Sequence, residues 1–185
     1  EALAYVRDTM GQSKIDVFTH LSGGDLGLAQ RATLGFEEAY AEIAAESGVE
    51  AIEGAAELFA DLRSAGLKVA LTTGFAPATR DAILDALGWH DLVEVALSPV
   101  DAGRGRPAPD LVLTALLRTG ASCVQAVAVL GDTESDVRSG RSAGAGLVAG
   151  VLTGAHGRQA LENAGADHVL GSVTELRELA AFRAG

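Results

Sequence analysis

The sequence has little that could cross-link or anchor it. One of its 185 residues is cysteine, Cys123, which excludes an internal disulfide framework. Cys123 precedes an apolar run, has no histidine near it in sequence, and reads as an inert thiol at a helix–strand junction. No run of about 18 apolar residues occurs, which excludes a helical membrane span. Glu1 to Lys14 carries scattered charges and no apolar segment of the signal-peptide kind, so the expectation is a soluble cytoplasmic protein. Aromatic residues make up only 4% of the chain against 48% hydrophobic residues, so the core must rest on Ala, Val and Leu. Basic residues are also few: 14 Lys and Arg face 25 Asp and Glu, a net charge of −11. That excludes a nucleic-acid binder, which needs a basic stripe. A small phosphate-bearing ligand remains compatible, because one local cation and a divalent metal can hold phosphate inside an acidic protein. Internal repeats and low-complexity tracts are absent, and Lys14 and Lys68 are the only lysines.

Two regions differ in character. Residues 1 to about 50 read as helical. Leu28 to Ala45 places Leu34, Phe36, Tyr40 and Ile43 at near-helical spacing and ends at Gly48. From about residue 54, helices and short apolar strands alternate. Helices are expected over Ala55–Ala65, Pro77–Leu87, Asp110–Arg118, Ser135–Ala143, Arg158–Ala164 and Val173–Phe182. Strands are expected over Leu67–Leu71, Val93–Leu97, Val127–Leu130, Leu147–Val151 and His168–Leu170. Strands this apolar belong in a parallel sheet covered by helices on both faces. The fold class is therefore α/β, a doubly wound parallel sheet preceded by helices. Ligands in such sheets bind beyond the carboxyl ends of the strands. The residues to watch are Thr72, Thr73 and Gly74, then Ser98 and Pro99, then Gly131, Asp132 and Thr133, then Thr153 and Gly154.

Three segments carry chemistry. In Gly131-Asp132-Thr133-Glu134-Ser135-Asp136 a strand ends in a sharp turn, with a carboxylate at its tip and a second one helical turn on. Asp132 suits a hard cation such as Mg²⁺, and Asp136 can orient the site or a metal-bound water; the competing explanation is helix capping. Leu71-Thr72-Thr73-Gly74-Phe75 offers hydroxyl and backbone N–H groups as an anion cradle, or is an ordinary strand-to-helix turn. In Arg104-Gly105-Arg106-Pro107-Ala108-Pro109-Asp110 the prolines make a rigid loop and restrict Arg106. Its guanidinium can neutralise phosphate or nearby carboxylates, whereas Arg104 reads as a surface residue.

The order of these segments resembles the second, third and fourth motifs of the haloacid dehalogenase-like hydrolases, over roughly residues 55 to 170. The resemblance implies a Rossmann-like core with a helical cap, residues 1–50 as that cap and 51–185 as the core. It implies Thr73 as the phosphate-binding hydroxyl, flanked by Thr72 and Gly74, Arg106 as the basic group, Asp132 as the Mg²⁺ ligand and Asp136 as its supporting acid. Thr9-Met10-Gly11-Gln12-Ser13-Lys14-Ile15-Asp16 further resembles the cap segment of the phosphonatase-like (phosphonoacetaldehyde hydrolase) branch. There the cap lysine forms a Schiff base with the substrate aldehyde, which implies Lys14 as the catalytic amine and Met10 and Gly11 as substrate contacts. Two positions depart from that branch. Its cap histidine, three residues after the lysine, is Val17 here. Its Pro-Tyr-Pro-Trp loop is Pro107-Ala108-Pro109-Asp110, a form common among phosphomonoesterases and β-phosphoglucomutases.

The resemblance also implies a first motif, a strand ending in the nucleophilic Asp, with the cap inserted after it. Nothing here matches it. Asp8 is followed by Thr9-Met10-Gly11, and neither Asp16 nor Asp25 follows an apolar strand. The first residue is Glu rather than Met. The expectation is that the chain starts within the cap, about 25 to 30 residues late by element order, and lacks a central strand between the first and third of those expected. The implied function is a Mg²⁺-dependent phosphohydrolase acting on a small phosphonate or phosphate ester through an aspartyl-phosphate. A phosphomonoesterase or β-phosphoglucomutase-like phosphatase is the nearest alternative. An inactive fragment or non-catalytic binding module is an alternative of another class, and a receiver-like signalling domain comes last. Neither nucleic acid nor membrane is an expected partner, and a homodimer is compatible with the sequence.

Overall fold

A computed structural model of the chain describes residues 2–179. Three helices come first: α1 (Ala2–Asp8), α2 (Lys14–Leu21) and α3 (Leu26–Ser47). The Asp25 carboxylate caps α3 by accepting from Leu28 N–H at 2.9 Å, which satisfies a donor that the helix leaves free. Helices and strands then alternate: α4 (Ala55–Ser64), β1 (Ala70–Thr72), α5 (Pro77–Leu87), β2 (Val95–Leu97), α6 (Pro99–Ala102), α7 (Asp110–Thr119), β3 (Ala128–Gly131), α8 (Glu134–Ala143), β4 (Leu147–Val151), α9 (Arg158–Ala164) and β5 (His168–Leu170).

The first two strands start later than their apolar runs do. Glu94 explains this, because its carboxylate accepts from Val69 N–H at 2.6 Å, in place of a strand partner. Ladder pairing begins one residue on, at Ala70 against Val95. The helix expected from Val173 to Phe182 is instead a short 3-10 helix, Val173–Glu178, whose one buried residue is Leu176; Phe182 lies outside the described residues.

All pairing is parallel, as in sheets that helices cover on both faces. The strands form two hydrogen-bonded groups, β1–β2 and β3–β4–β5. Among the described residues, β1 pairs only with β2 and β3 only with β4. The period of two along β4 divides the core. Val148 points to Val137 of α8 and Leu161 of α9, while Ala149 and Val151 face the other way, against Leu170. A third cluster joins Leu97 to Leu111 and Ala115 of α7.

The turn between α1 and α2 lies directly on the loops at the carboxyl ends of the strands. Three glycines make room for it. A Cβ on Gly11 would stand 2.5 Å from Thr133 Oγ1, one on Gly74 2.5 Å from the Gln12 carbonyl oxygen, and one on Gly105 2.8 Å from Ser13 Cβ. Each distance is shorter than a Cβ tolerates, so these positions have no room for a side chain: Gly74 lies against the Gln12 backbone, Gly11 and Gly105 against the side chains of Thr133 and Ser13. Within the core, Leu161→Ala removes a fully buried side chain and is expected to cost about 2–5 kcal/mol; denaturant unfolding measures it.

Candidate active site

The loop after β1 is tied to β2 through Thr73 N–H, which donates to the Leu97 carbonyl at 3.0 Å. Thr73 Oγ1 accepts from Phe75 N–H at 3.2 Å, leaving its own O–H free to donate. Thr72 and Gly74 flank it, half-buried. Ser98 was expected on the same edge and is not available there. It is fully buried and forms a capping box with Asp101 at the start of α6, and Arg80 joins Asp101 at 2.8 Å. Thr153 and Gly154 are exposed.

Asp132 stands at the tip of β3. Its Oδ2 accepts from Ala155 N–H at 2.9 Å; Oδ1 has no hydrogen bond among the described residues. Asp136, expected to orient the site or a metal-bound water, has both its oxygens engaged. Oδ2 accepts from Thr133 N–H at 3.0 Å and Thr133 Oγ1 at 2.6 Å, and Oδ1 accepts from Arg106. Capping and site therefore use one residue: Thr133 and Asp136 form the capping box of α8, and Asp136 also holds Arg106. Burial pushes the Arg106 guanidinium down to about 10, and Asp132 opposes the shift, so it stays cationic at neutral pH. Its Nε is buried without a partner. Arg104 is the surface residue expected, bridging to Asp110 at 2.7 Å.

Lys14 opens α2. Its Nζ lies 5.2 Å from the Phe36 ring centroid and 5.6 Å from that of Phe75. Phe75 stacks on Phe36 at 6.2 Å and meets Tyr40 at 4.7 Å. Burial holds the Lys14 amine below its ordinary value of 10.5; Glu37 opposes that shift and Arg106 adds to it. A chain of contacts thus runs from Lys14 through Phe75, Thr73, Gly74, Gly11, Thr133 and Asp136 to Arg106. Met10 is 39% exposed and takes no part in those contacts.

Two residues of this region escape sequence inspection. Glu37 reaches from α3 to the start of α5, where Ala76 N–H donates to it at 3.1 Å and the Thr79 hydroxyl also donates. His156 Nδ1 accepts from Glu134 N–H at 2.9 Å, which assigns the ring proton to Nε2, 3.3 Å from the Arg7 carbonyl. His156 lies two residues past Gly154 and falls to the same strand-end rule carried further. Glu37 has no local signal.

The described residues hold no group of three or more His, Cys, Asp or Glu that could bind a metal. The donors suit a hydrated Mg²⁺ in part. Such an ion takes one or two carboxylates and keeps several waters, and Asp132 offers one hard oxygen.

A family model described as haloacid dehalogenase-like hydrolase matches residues 4–144. The chain belongs to the haloacid dehalogenase-like hydrolases. Within them its similarity runs to the phosphonatase-like branch. The phosphonoacetaldehyde hydrolase of Bacillus cereus (strain AH187) is 33% identical over 106 residues, 56% of this chain. The chain covers 39% of that relative's length. Among solved structures, a hydrolase from Pseudomonas syringae superposes with a TM-score of 0.84 at 27% identity, over 96% of this chain and 81% of that one. A phosphonoacetaldehyde hydrolase-like protein from Oleispira antarctica gives 0.81 at 25%, over 95% and 77%. No helix among the described residues is long and apolar enough to cross a membrane.

Two outcomes follow for this haloacid dehalogenase-like site. Asp136→Ala strands a buried Arg106 and is expected to cost about 3–5 kcal/mol, only part of it recovered in Arg106→Met/Asp136→Leu, because removing both charges leaves neither unpaired but still takes the acceptor from Thr133 N–H and Oγ1; denaturant unfolding of the three proteins checks this. Lys14 gives a pH signature. Below its folded value, folded and unfolded chains both carry the ammonium, and the burial penalty is complete. Toward 10.5 the folded amine has lost its proton while the unfolded one keeps it, so the penalty fades. Lys14→Met is therefore expected to be more stable than the parent near neutral pH, with the difference shrinking as pH rises through that window in paired unfolding curves.

Proposed function

We propose that this haloacid dehalogenase-like protein is a phosphohydrolase of the phosphonatase kind, acting on a small phosphonate with an aldehyde carbonyl, with helices α1–α3 as its cap. The observation that carries the proposal is the Lys14 amine, desolvated between Phe36 and Phe75 and joined by contacts to the Thr73 and Arg106 loops. Burial makes this amine give up its proton more readily, and the neutral form is a nucleophile for carbonyl carbon. Lys14 attacks the aldehyde, water leaves, and an imine forms. The imine withdraws electrons from the carbon–phosphorus bond, which breaks as the phosphoryl group passes to a carboxylate. The electron pair stays on carbon as an enamine, which is protonated and hydrolysed to free the aldehyde product and Lys14.

Thr73 O–H and the unpartnered Arg106 Nε–H are the donors for the phosphoryl oxygens, and they are held in place before the reaction. Mg²⁺ on Asp132 would supply further charge neutralisation at those oxygens. The cap excludes water while the imine stands. In this proposal the receiving carboxylate is an aspartate on a strand beside the edges of β1 and β3 that no described strand pairs with. Release of phosphate then needs that strand, whereas imine formation needs only the residues described.

A second reading, a phosphomonoesterase, is favoured by Val17, which is buried where the branch has its histidine, and by the Pro107-Ala108-Pro109-Asp110 loop. Borohydride reduction in the presence of phosphonoacetaldehyde separates the two. Residues 1–185 are expected to gain one reduced adduct at Lys14 and none in Lys14→Arg, read by peptide mass. No adduct, with cleavage of small phosphate esters once the aspartate strand is present, would establish the phosphomonoesterase. Phosphate release by residues 1–185 alone would overturn the placement of the nucleophile.

A further inference from the structure

Helix α5 begins without a cap of its own, because its N-cap residue is Ala76. The free N–H groups there are met from far away in the chain. Glu37 of α3 accepts from Ala76 N–H at 3.1 Å and from the hydroxyl of Thr79, which is 7% exposed. A carboxylate at a helix N-terminus is favoured by the backbone N–H groups and by the helix dipole. The two residues beside this junction are Phe36, next to Glu37, and Phe75, next to Ala76. Their rings are the ones that flank the Lys14 amine. The charged groups acting on that amine are Glu37 from α3, which favours the ammonium, and Arg106 from the loop before α7, which opposes it.

We propose that Glu37 is a positioning residue: one carboxylate fastens α3 to the start of α5 and also faces Lys14, so the amine is held against Phe36 and Phe75 only while that fastening is made. Opening of the N-terminal helices breaks the bonds to Ala76 and Thr79. It parts the two rings and returns Lys14 to water, where it is an ordinary ammonium. Seating the helices desolvates the amine, and Glu37 opposes the loss of its proton that desolvation favours. This rests on the proposed role of Lys14 for its catalytic meaning, while the fastening stands on the contacts alone.

Two variants act in opposite directions. Glu37→Gln keeps an acceptor for Ala76 N–H and removes the charge. Thr79→Val keeps the charge and weakens the fastening. The probe is reductive methylation with dilute formaldehyde and cyanoborohydride, followed across pH on the Lys14 peptide by mass spectrometry, with the denatured protein as reference. It needs no phosphonate, so its outcome is independent of trapping by phosphonoacetaldehyde. Glu37→Gln is expected to move the labelling midpoint of Lys14 to lower pH, because a stabilising negative charge is gone. Thr79→Val is expected to move it to higher pH, because the amine is wetter, and to speed hydrogen exchange over residues 76–79. Shifts of both variants in one direction, or no shift, would show that Glu37 only braces the fold. Unchanged exchange in Thr79→Val would show that these bonds do not fasten the helices.

Discussion

Arg106 and Asp136 form an ion pair almost out of reach of water, their side chains 11% and 6% exposed. Two charges taken from water cost several kcal/mol each, and mutual attraction returns this only when further hydrogen bonds complete the arrangement. Here the second oxygen of Asp136 is completed by Thr133 N–H and Oγ1. The pair is therefore one end of a network whose other end starts α8. Ser139 extends it by donating to the Ala108 carbonyl at 2.8 Å, between Pro107 and Pro109. The start of α8, the proline loop and the turn bearing Asp132 are thus held as one piece. Such a pair does little for net stability, but it fixes which loop lies against which helix.

The N-terminal helices depend on this network through Thr133. Gly11 passes within side-chain distance of the Thr133 hydroxyl that Asp136 orients. His156 adds a bridge from Glu134 N–H to the end of α1, and Glu37 adds one to α5. These contacts are polar and small, and the apolar packing of Phe36 and Tyr40 on Phe75 beside them is less than that of the clusters around β2 and β4. A junction held by few hydrogen bonds opens at lower free energy than a packed core. That is the balance the proposed cap role needs: tight enough to dry an amine, loose enough to admit a ligand.

The core was legible because its signals are local and periodic. Pro77 and Gly88 bracket α5, and Leu147–Val151 is a strand in both sequence and structure. The strand boundaries at Ala70 and Val95 were not legible, because Glu94 takes a backbone donor from a residue 25 positions away. The site divided in the same manner. Gly131-Asp132 and Arg106-Pro107 announce themselves by their neighbours. That Asp136 would be shared between a cap and a guanidinium could not be decided from spacing, since both uses need an acid at that place. Ser98 looked like an edge hydroxyl until Asp101, three residues on, claimed it. Glu37 sits in an ordinary helical run, and only the approach of α3 to α5 gives it a partner.

The charge of the whole chain bears on how an anion meets this edge. At a net charge of −11 the long-range field repels phosphate, and no electrostatic funnel speeds its arrival. That repulsion is screened over about 8 Å at physiological salt, so local groups decide binding. Both local cations already have partners, Arg106 in Asp136 and Asp132, and Lys14 in the field of Glu37. In the proposed function a phosphoryl group therefore meets a compensated site, and its attraction comes from donors still unmatched, chiefly Arg106 Nε and the Thr73 hydroxyl. Directional donors of this kind discriminate by geometry more than by charge. On that proposal, selectivity would rest on the group the substrate presents to Lys14.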